Sequence, residues 1–162
     1  MKKFLLFASL VLAMFIAKAQ DPMFLKDDKL LNLGVGLRGY PVVSASLDYC
    51  ITDGIADKGS IGVGPYAGLG LGLGNYYSKG AYITAGVRGT FHYPIIEDLD
   101  TYAGVGLGFR FAAYSYGGTS FHVAQGSGFF IGANYPLTET IIVFGELGSG
   151  VSYLTAGITI FL

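Results

Sequence analysis

Few side chains in this 162-residue sequence could do chemistry: two histidines (His92 and His122), one cysteine (Cys50), and five charged residues set singly among apolar or small neighbours. The five are Arg38, Asp48, Arg88, Arg110 and Glu146. A histidine beside a serine and an acid would suit acyl transfer, the imidazole taking the hydroxyl proton while the acid orients it. His122 has Ser120 and Ser127 close in sequence, and His92 has Glu97 and Asp98. No nucleophile motif surrounds either serine, and the stretch GTSFH ending at His122 reads as an ordinary loop. The two histidines and Cys50 are too far apart for metal-ligand spacing. The run from Gly68 to Gly74 alternates with leucine and lacks a following Lys-Ser/Thr, so it reads as strand rather than as a phosphate loop. Cys50 can form no intramolecular disulfide and reads as a small half-buried side chain. No catalytic, cofactor-binding or metal-binding residue is assigned, and what remains for the charged residues is pairing with one another.

Isolated charges in apolar sequence need elements that hold them away from whatever the apolar side chains face. The composition is unusual for a soluble domain, with 26 Gly, 12 Tyr, 12 Phe, no Trp and 13% charged residues. Beyond residue 19 the apolar stretches are broken at alternate positions by Gly, Tyr, Ser or Thr, which is the period of a strand. Eight segments behave this way: Leu31 to Leu37, Val43 to Ile51, Ile61 to Leu73, Ile83 to Phe91, Ala103 to Phe111, Phe129 to Tyr135, Ile141 to Leu147 and Leu154 to Leu162. Each is roughly ten residues long, the length of a tilted membrane strand.

The charges decide what the apolar face meets. Most fall before the first segment or in connections, and Arg38, Asp48, Arg88, Arg110 and Glu146 all share parity with the glycines. A charge-free apolar face over eight strands would be insoluble in water, and lipid is its natural solvent. A lipocalin-like soluble barrel would show the inverse pattern. Strands in hydrocarbon must satisfy every backbone group without an edge, which forces closure. The expected fold is therefore all-β, an eight-stranded antiparallel up-and-down transmembrane barrel. Pro41, Pro94 and Pro136 fall at strand ends, and Pro65 predicts a local bulge or a strand end.

Residues 1–19 have the form of a cleaved signal peptide: Lys2 and Lys3, an apolar run to Ala17, then Ala17-Lys18-Ala19. Cleavage would remove three of ten cationic residues, leaving seven against eleven acids, a net charge of −4 that offers no case for nucleic acid. Residues 20–29 would be a periplasmic lead and 30–162 the barrel. Turns at 52–60, 94–100 and 136–140 would face the periplasm, with 38–42, 74–80, 114–127 and 148–151 as outer loops. Tyr49, Tyr93 and Tyr135 at one end and Tyr40, Tyr76, Tyr77 and Tyr116 at the other would form aromatic girdles. Eight strands enclose little more than side chains can fill. The expected lumenal network is Arg38, Asp48, Arg88, Arg110 and Glu146 with Tyr66, Tyr82 and Tyr102. Glu146 would pair with Arg88, and Arg110 is a candidate third member.

The start at Gln20, the stretch VSASLDYCITDGIADKGSIGVGPYAG from Val43, GVRGTFHYPIIEDLDTYAGVGLG from Gly86 and NYPLTETIIVFGELGSGVSYLTAGITIFL from Asn134 together resemble the small OmpA/OmpX-like outer-membrane proteins of the porin-type β-barrel domain, in the version common in Bacteroidetes. The resemblance implies an integral protein of a Gram-negative outer membrane, in contact with membrane lipid and lipopolysaccharide and handled by the barrel-assembly machinery. Such proteins usually end in an aromatic residue recognised during assembly; here Phe161 precedes a terminal Leu162. The family has no shared catalytic set and implies no cofactor. Three functional readings stay open: a structural or surface barrel with a plugged lumen, a narrow porin-like channel for water, ions or small solutes, and, remotely, a lipid-modifying enzyme. Oligomeric state is not encoded in any of these features.

Overall fold

The computed structural model describes residues 23–73, 79–96, 98–115, 119–138 and 140–162, with the backbone alone at 72–73, 79, 113–115 and 119–125. The signal segment, the first residues of the lead, Tyr76, Tyr77, Tyr116, Glu97 and Glu139 lie outside the described residues. Those described form nine strands: β1 (Lys29–Leu37), β2 (Pro41–Ile55), β3 (Gly59–Leu73), β4 (Lys79–Ile96), β5 (Leu99–Ser115), β6 (Thr119–Gln125), β7 (Gly128–Pro136), β8 (Ile141–Gly148) and β9 (Leu154–Phe161). All pairings are antiparallel between neighbours, and β9 pairs with β1, from Leu30 opposite Phe161 to Leu37 opposite Leu154. The sheet has no open ends, and the chain is a closed eight-stranded antiparallel barrel.

Nine strands make eight staves because β6 and β7 share one. Both pair with β5, and the register that sets Phe109 opposite Gln125 continues to Gly106 opposite Gly128. Only Gly126 and Ser127 leave the ladder. The Gly126 amide still donates to the Gly108 carbonyl at 2.8 Å. The Gly126 carbonyl accepts from the Tyr66 hydroxyl at 2.7 Å, and the Gly108 amide donates to Ser127 Oγ at 3.3 Å. Side-chain bonds take over where these two residues leave the ladder, and the stave runs on in one register.

The expected alternation holds along the staves. Val35, Leu107 and Phe129 point outward at 65%, 63% and 77% exposure, whereas inward-facing Asp48, Thr84 and Thr159 are at 1%, 0% and 0%. Inside, the packing is polar through the middle and apolar at both ends. Phe24, Leu30 and Cys50, with Phe161 against them, fill the end that holds the N-terminus. Val42, Tyr82 and Ala112, with Tyr40 and Val151 against them, fill the other. We call these the lower and upper ends.

Several sequence expectations change here. β4 and β5 run 18 and 17 residues, well beyond ten, because the β4–β5 connection tightens to two residues and Pro94 stays in the ladder opposite Asp100. The span 114–127 is mostly the β5–β6 hairpin rather than a loop. Pro65 causes neither a bulge nor an end: it lies inside β3 opposite Val87 in unbroken β3–β4 register. On its other side the β2–β3 ladder skips from Ser46–Tyr66 to Tyr49–Val63, which leaves the missing proline N–H without consequence.

Closure depends on glycine where strands coil tightly. A Cβ on Gly157 would collide with the Leu33 carbonyl oxygen across the β1–β9 seam, and the obstacle is backbone that cannot swing away. At Gly89 an added Cβ meets nothing within 4 Å. Gly157→Val should therefore cost about 3 kcal/mol or more and lose the barrel's heat-dependent shift on a detergent gel, while Gly89→Val should refold with its urea midpoint nearly unchanged.

Candidate functional site: the lumen

Arg88 sits on β4 at the middle of the lumen, where Gly64 opposite it on β3 and Gly106 opposite it on β5 carry no side chain. Its Nε lies 3.2 Å from Asp48 Oδ1 on β2, and its Nη2 lies 3.1 Å from Glu146 Oε2 on β8. Nη1 donates to Ser46 Oγ at 3.0 Å. The Nε–Asp48 contact is close but poorly aligned, so neither atom has a proper hydrogen bond and the attraction there is chiefly Coulombic. The guanidinium lies over the Phe130 ring, 4.2 Å from its centroid.

Two carboxylates against one guanidinium leave an excess negative charge, and neutral donors spread it. Asn32 Nδ2 donates to Asp48 Oδ2 at 2.9 Å and to Ser46 Oγ at 3.2 Å, and Asn32 Oδ1 accepts from Thr159 Oγ1 at 2.6 Å. The Tyr102 hydroxyl donates to Glu146 Oε2 at 3.2 Å. Staves from β1, β2, β4, β5, β8 and β9 are thus joined across the diameter by one polar network. A cavity among the described residues, between Ser46, Tyr66, Arg88, Glu146 and Thr155, has a volume of about 20 Å³, room for about one water molecule.

Below the cluster, His92 Nδ1 lies 2.7 Å from Asp100 Oδ2, which also accepts from Asn134 Nδ2 at 3.0 Å. The imidazole is sandwiched between Phe24 and Tyr102, at centroid distances of 4.6 and 5.1 Å. Its Nε2 is buried without a hydrogen bond, so among the described residues no hydroxyl or thiol is engaged by it as a nucleophile. Asp100, read in sequence as a turn residue, is a lumenal residue that pattern reading missed. The signal was available, because Asp100 shares parity with Tyr102 and Gly104. Phe24 closes this end, brought there by a lead that straps onto β2: the Asp27 amide donates to the Cys50 carbonyl at 3.1 Å, the Cys50 amide to the Asp28 carbonyl at 2.9 Å, and the Lys26 amide to Asp53 Oδ2 at 3.0 Å.

Arg110 does not join Arg88 and Glu146. Its Nε donates to Thr84 Oγ1 at 3.1 Å and its Nη2 to the Gly150 carbonyl at 2.9 Å, at the upper end. Arg38 works from the rim on the same loop, donating to the Ser149 and Gly150 carbonyls at 2.9 and 2.7 Å. Together they hold the β8–β9 loop over the mouth, so that Val151 packs on Val42 and Tyr82. Tyr40 meets Tyr82 edge-on at 4.9 Å, which puts it over the mouth rather than in an outer girdle. At the lower end Tyr135 is exposed, Tyr49 donates its hydroxyl to Asp27 Oδ1 at 2.7 Å, and Tyr93 lies under the Lys58 ammonium at 5.3 Å. Phe161 packs inward on the lower cluster and Leu162 is exposed.

No protein-family model matches the chain, and no curated protein matches it either. Solved structures do share its fold. The crystal structure of Neisserial surface protein A (NspA) superposes with a TM-score of 0.59 at 14% identity, covering 82% of this chain and 94% of that one. Ail, the attachment invasion locus protein of Yersinia pestis, superposes with a TM-score of 0.50 at 14% identity, covering 86% and 96%. At this identity the likeness is one of fold.

Removing Arg88 would strand Asp48 and Glu146 in the lumen without a cation, whereas removing Glu146 leaves the Arg88–Asp48 pair. Urea denaturation of the refolded barrel should show Arg88→Ala destabilised by about 3–5 kcal/mol and Glu146→Ala by clearly less.

Proposed function

We propose that this chain is an integral β-barrel of a bacterial outer membrane, with a structural or surface role, whose lumen is closed and does no chemistry. It is an OmpA/OmpX-like small barrel of the Bacteroidetes kind, exported by the signal at residues 1–19. The observation that carries the closed lumen is three obstructions in series: Phe24 below, the Arg88–Asp48–Glu146 network in the middle, and Val151 under the arginine-held loop above. An ion would have to displace all three, and the middle one by breaking buried ion pairs.

Placement in lipid is supported by the outward wall, which carries large apolar side chains 40–77% exposed on every stave described to side-chain level. Both structural neighbours are eight-stranded outer-membrane barrels. In that setting the lower end, with its acidic lead and turns, faces the periplasm, and the upper end contacts lipopolysaccharide. Phe161 and Leu162 form the end recognised by the barrel-assembly machinery.

Planar-bilayer recording of the refolded mature protein is the direct test. No conductance steps are expected from the parent chain. Reproducible steps that change in Glu146→Ala would overturn the closed reading in favour of a narrow ion channel.

A further inference from the structure

The lower end of the lumen is closed by a segment that does not belong to the sheet. At one depth across β2, β3 and β4 stand Cys50, Gly62 and Thr90, since Cys50 pairs with Gly62 and Gly62 with Thr90. Gly62 leaves a notch in this row, and the Phe24 ring occupies it. A Cβ on Gly62 would lie 2.9 Å from Phe24 Cε1 and 2.6 Å from Thr90 Oγ1. The same ring packs with Cys50 and Leu30 and lies 4.6 Å from the His92 ring, centroid to centroid. This seat is polar, and a hydrocarbon ring leaves it unsatisfied. Thr90 Oγ1, His92 Nε2 and, across Asp100, Asn134 Oδ1 are buried without a hydrogen-bond partner among the described residues. Holding such groups away from water costs free energy that hydration would return, while burial of the Phe24 ring works the other way.

The segment that carries Phe24 is built as a unit. Its turn closes on itself, the Asp28 amide donating to the Leu25 carbonyl at 3.0 Å and the Leu25 amide to Asp28 Oδ2 at 2.8 Å, with Asp27 left-handed at φ +74°. Among the described residues, its hydrogen bonds to the barrel all go to one stave, β2. The Asp27 amide donates to the Cys50 carbonyl, the Cys50 amide to the Asp28 carbonyl, the Lys26 amide to Asp53 Oδ2 and the Tyr49 hydroxyl to Asp27 Oδ1. A turn fastened to one stave can leave without breaking a rung between the staves.

We propose that residues 23–28 are a hinged stopper, which swings off the lower end while the barrel stays folded and the Arg88 network stays closed. In the open form Phe24 leaves the Gly62 notch, and Cys50 and the His92–Asp100 pair meet solvent. The lower half of the lumen is then a vestibule with a moving door. This goes beyond the closed-lumen reading, whose middle obstruction it leaves in place, and it rests on the folded barrel.

Cys50, the single cysteine of the chain, reports the opening. The refolded mature protein is labelled with N-ethylmaleimide at urea concentrations below its unfolding midpoint, and the adduct is followed by mass spectrometry. Folding is verified first by the heat-dependent gel shift, so that loss of the barrel, which would sink the barrel reading, is separate from the behaviour of the stopper. The labelling rate of the parent is expected to be measurable and nearly independent of urea, because a small local opening exposes little surface. Tyr49→Phe, which loses the bond to Asp27, should label about fivefold faster. Gly62→Ala, whose methyl takes the space of the Phe24 ring, should label about tenfold faster. Val151→Ala weakens the opposite end and should lower the urea midpoint without changing the rate. No labelling below the midpoint, a rate that climbs with urea in step with global unfolding, a rise in Val151→Ala, or an unchanged rate in either Tyr49→Phe or Gly62→Ala overturns the proposal.

Discussion

The rest of this structure depends on closure. A sheet whose outer wall is apolar cannot leave a row of unpaired amides and carbonyls at an edge, and the β1–β9 ladder removes the edge altogether. Closing only eight staves demands strong coiling, which brings backbones close enough that glycine is required at Gly157 against Leu33 and at Gly64 against Leu47. The same curvature leaves an interior with room for side chains and little else. Glycine content, strand number and a narrow interior are therefore three consequences of one requirement.

Inside that narrow tube the ordinary rule of protein cores is inverted. The apolar residues are already facing outward, so the interior is built from Asn, Ser, Thr, Tyr, His and charge, and its cohesion comes from hydrogen bonds rather than from apolar burial. Such a core is stable only if its members are satisfied. Arg88 meets most of the need by reaching Asp48 on β2 and Glu146 on β8, with Asn32 and Tyr102 donating to the same two carboxylates. Apolar packing is confined to the two ends, where Phe24 and Val151 are delivered by segments outside the strands.

The two readings that sequence left open for the interior differ in what occupies the axis. A conducting lumen needs a continuous wet path, and beside Arg88 the described residues leave a cavity of about 20 Å³.

Much of this was legible in the residues themselves. Period-two alternation, glycine on one parity and charge only on that parity determine an all-β chain with an apolar outside, and a wall that must be closed follows from the chemistry of the peptide group. Sequence also singled out Arg88 and Glu146, because a charge on the inner face needs a counter-charge. It misjudged partners whose meeting depends on stagger. Arg110 looked equivalent to Arg88, yet strand tilt lifts it to the level of the β8–β9 loop; Asp100 looked like a turn residue, yet the β4–β5 ladder carries it inward to His92; Pro65 looked like a defect, yet it falls where β2 and β3 make no bond. Parity is a property of one strand and can be read along the chain. Depth in a barrel depends on the register of every stave between two residues, and only the closed sheet determines that.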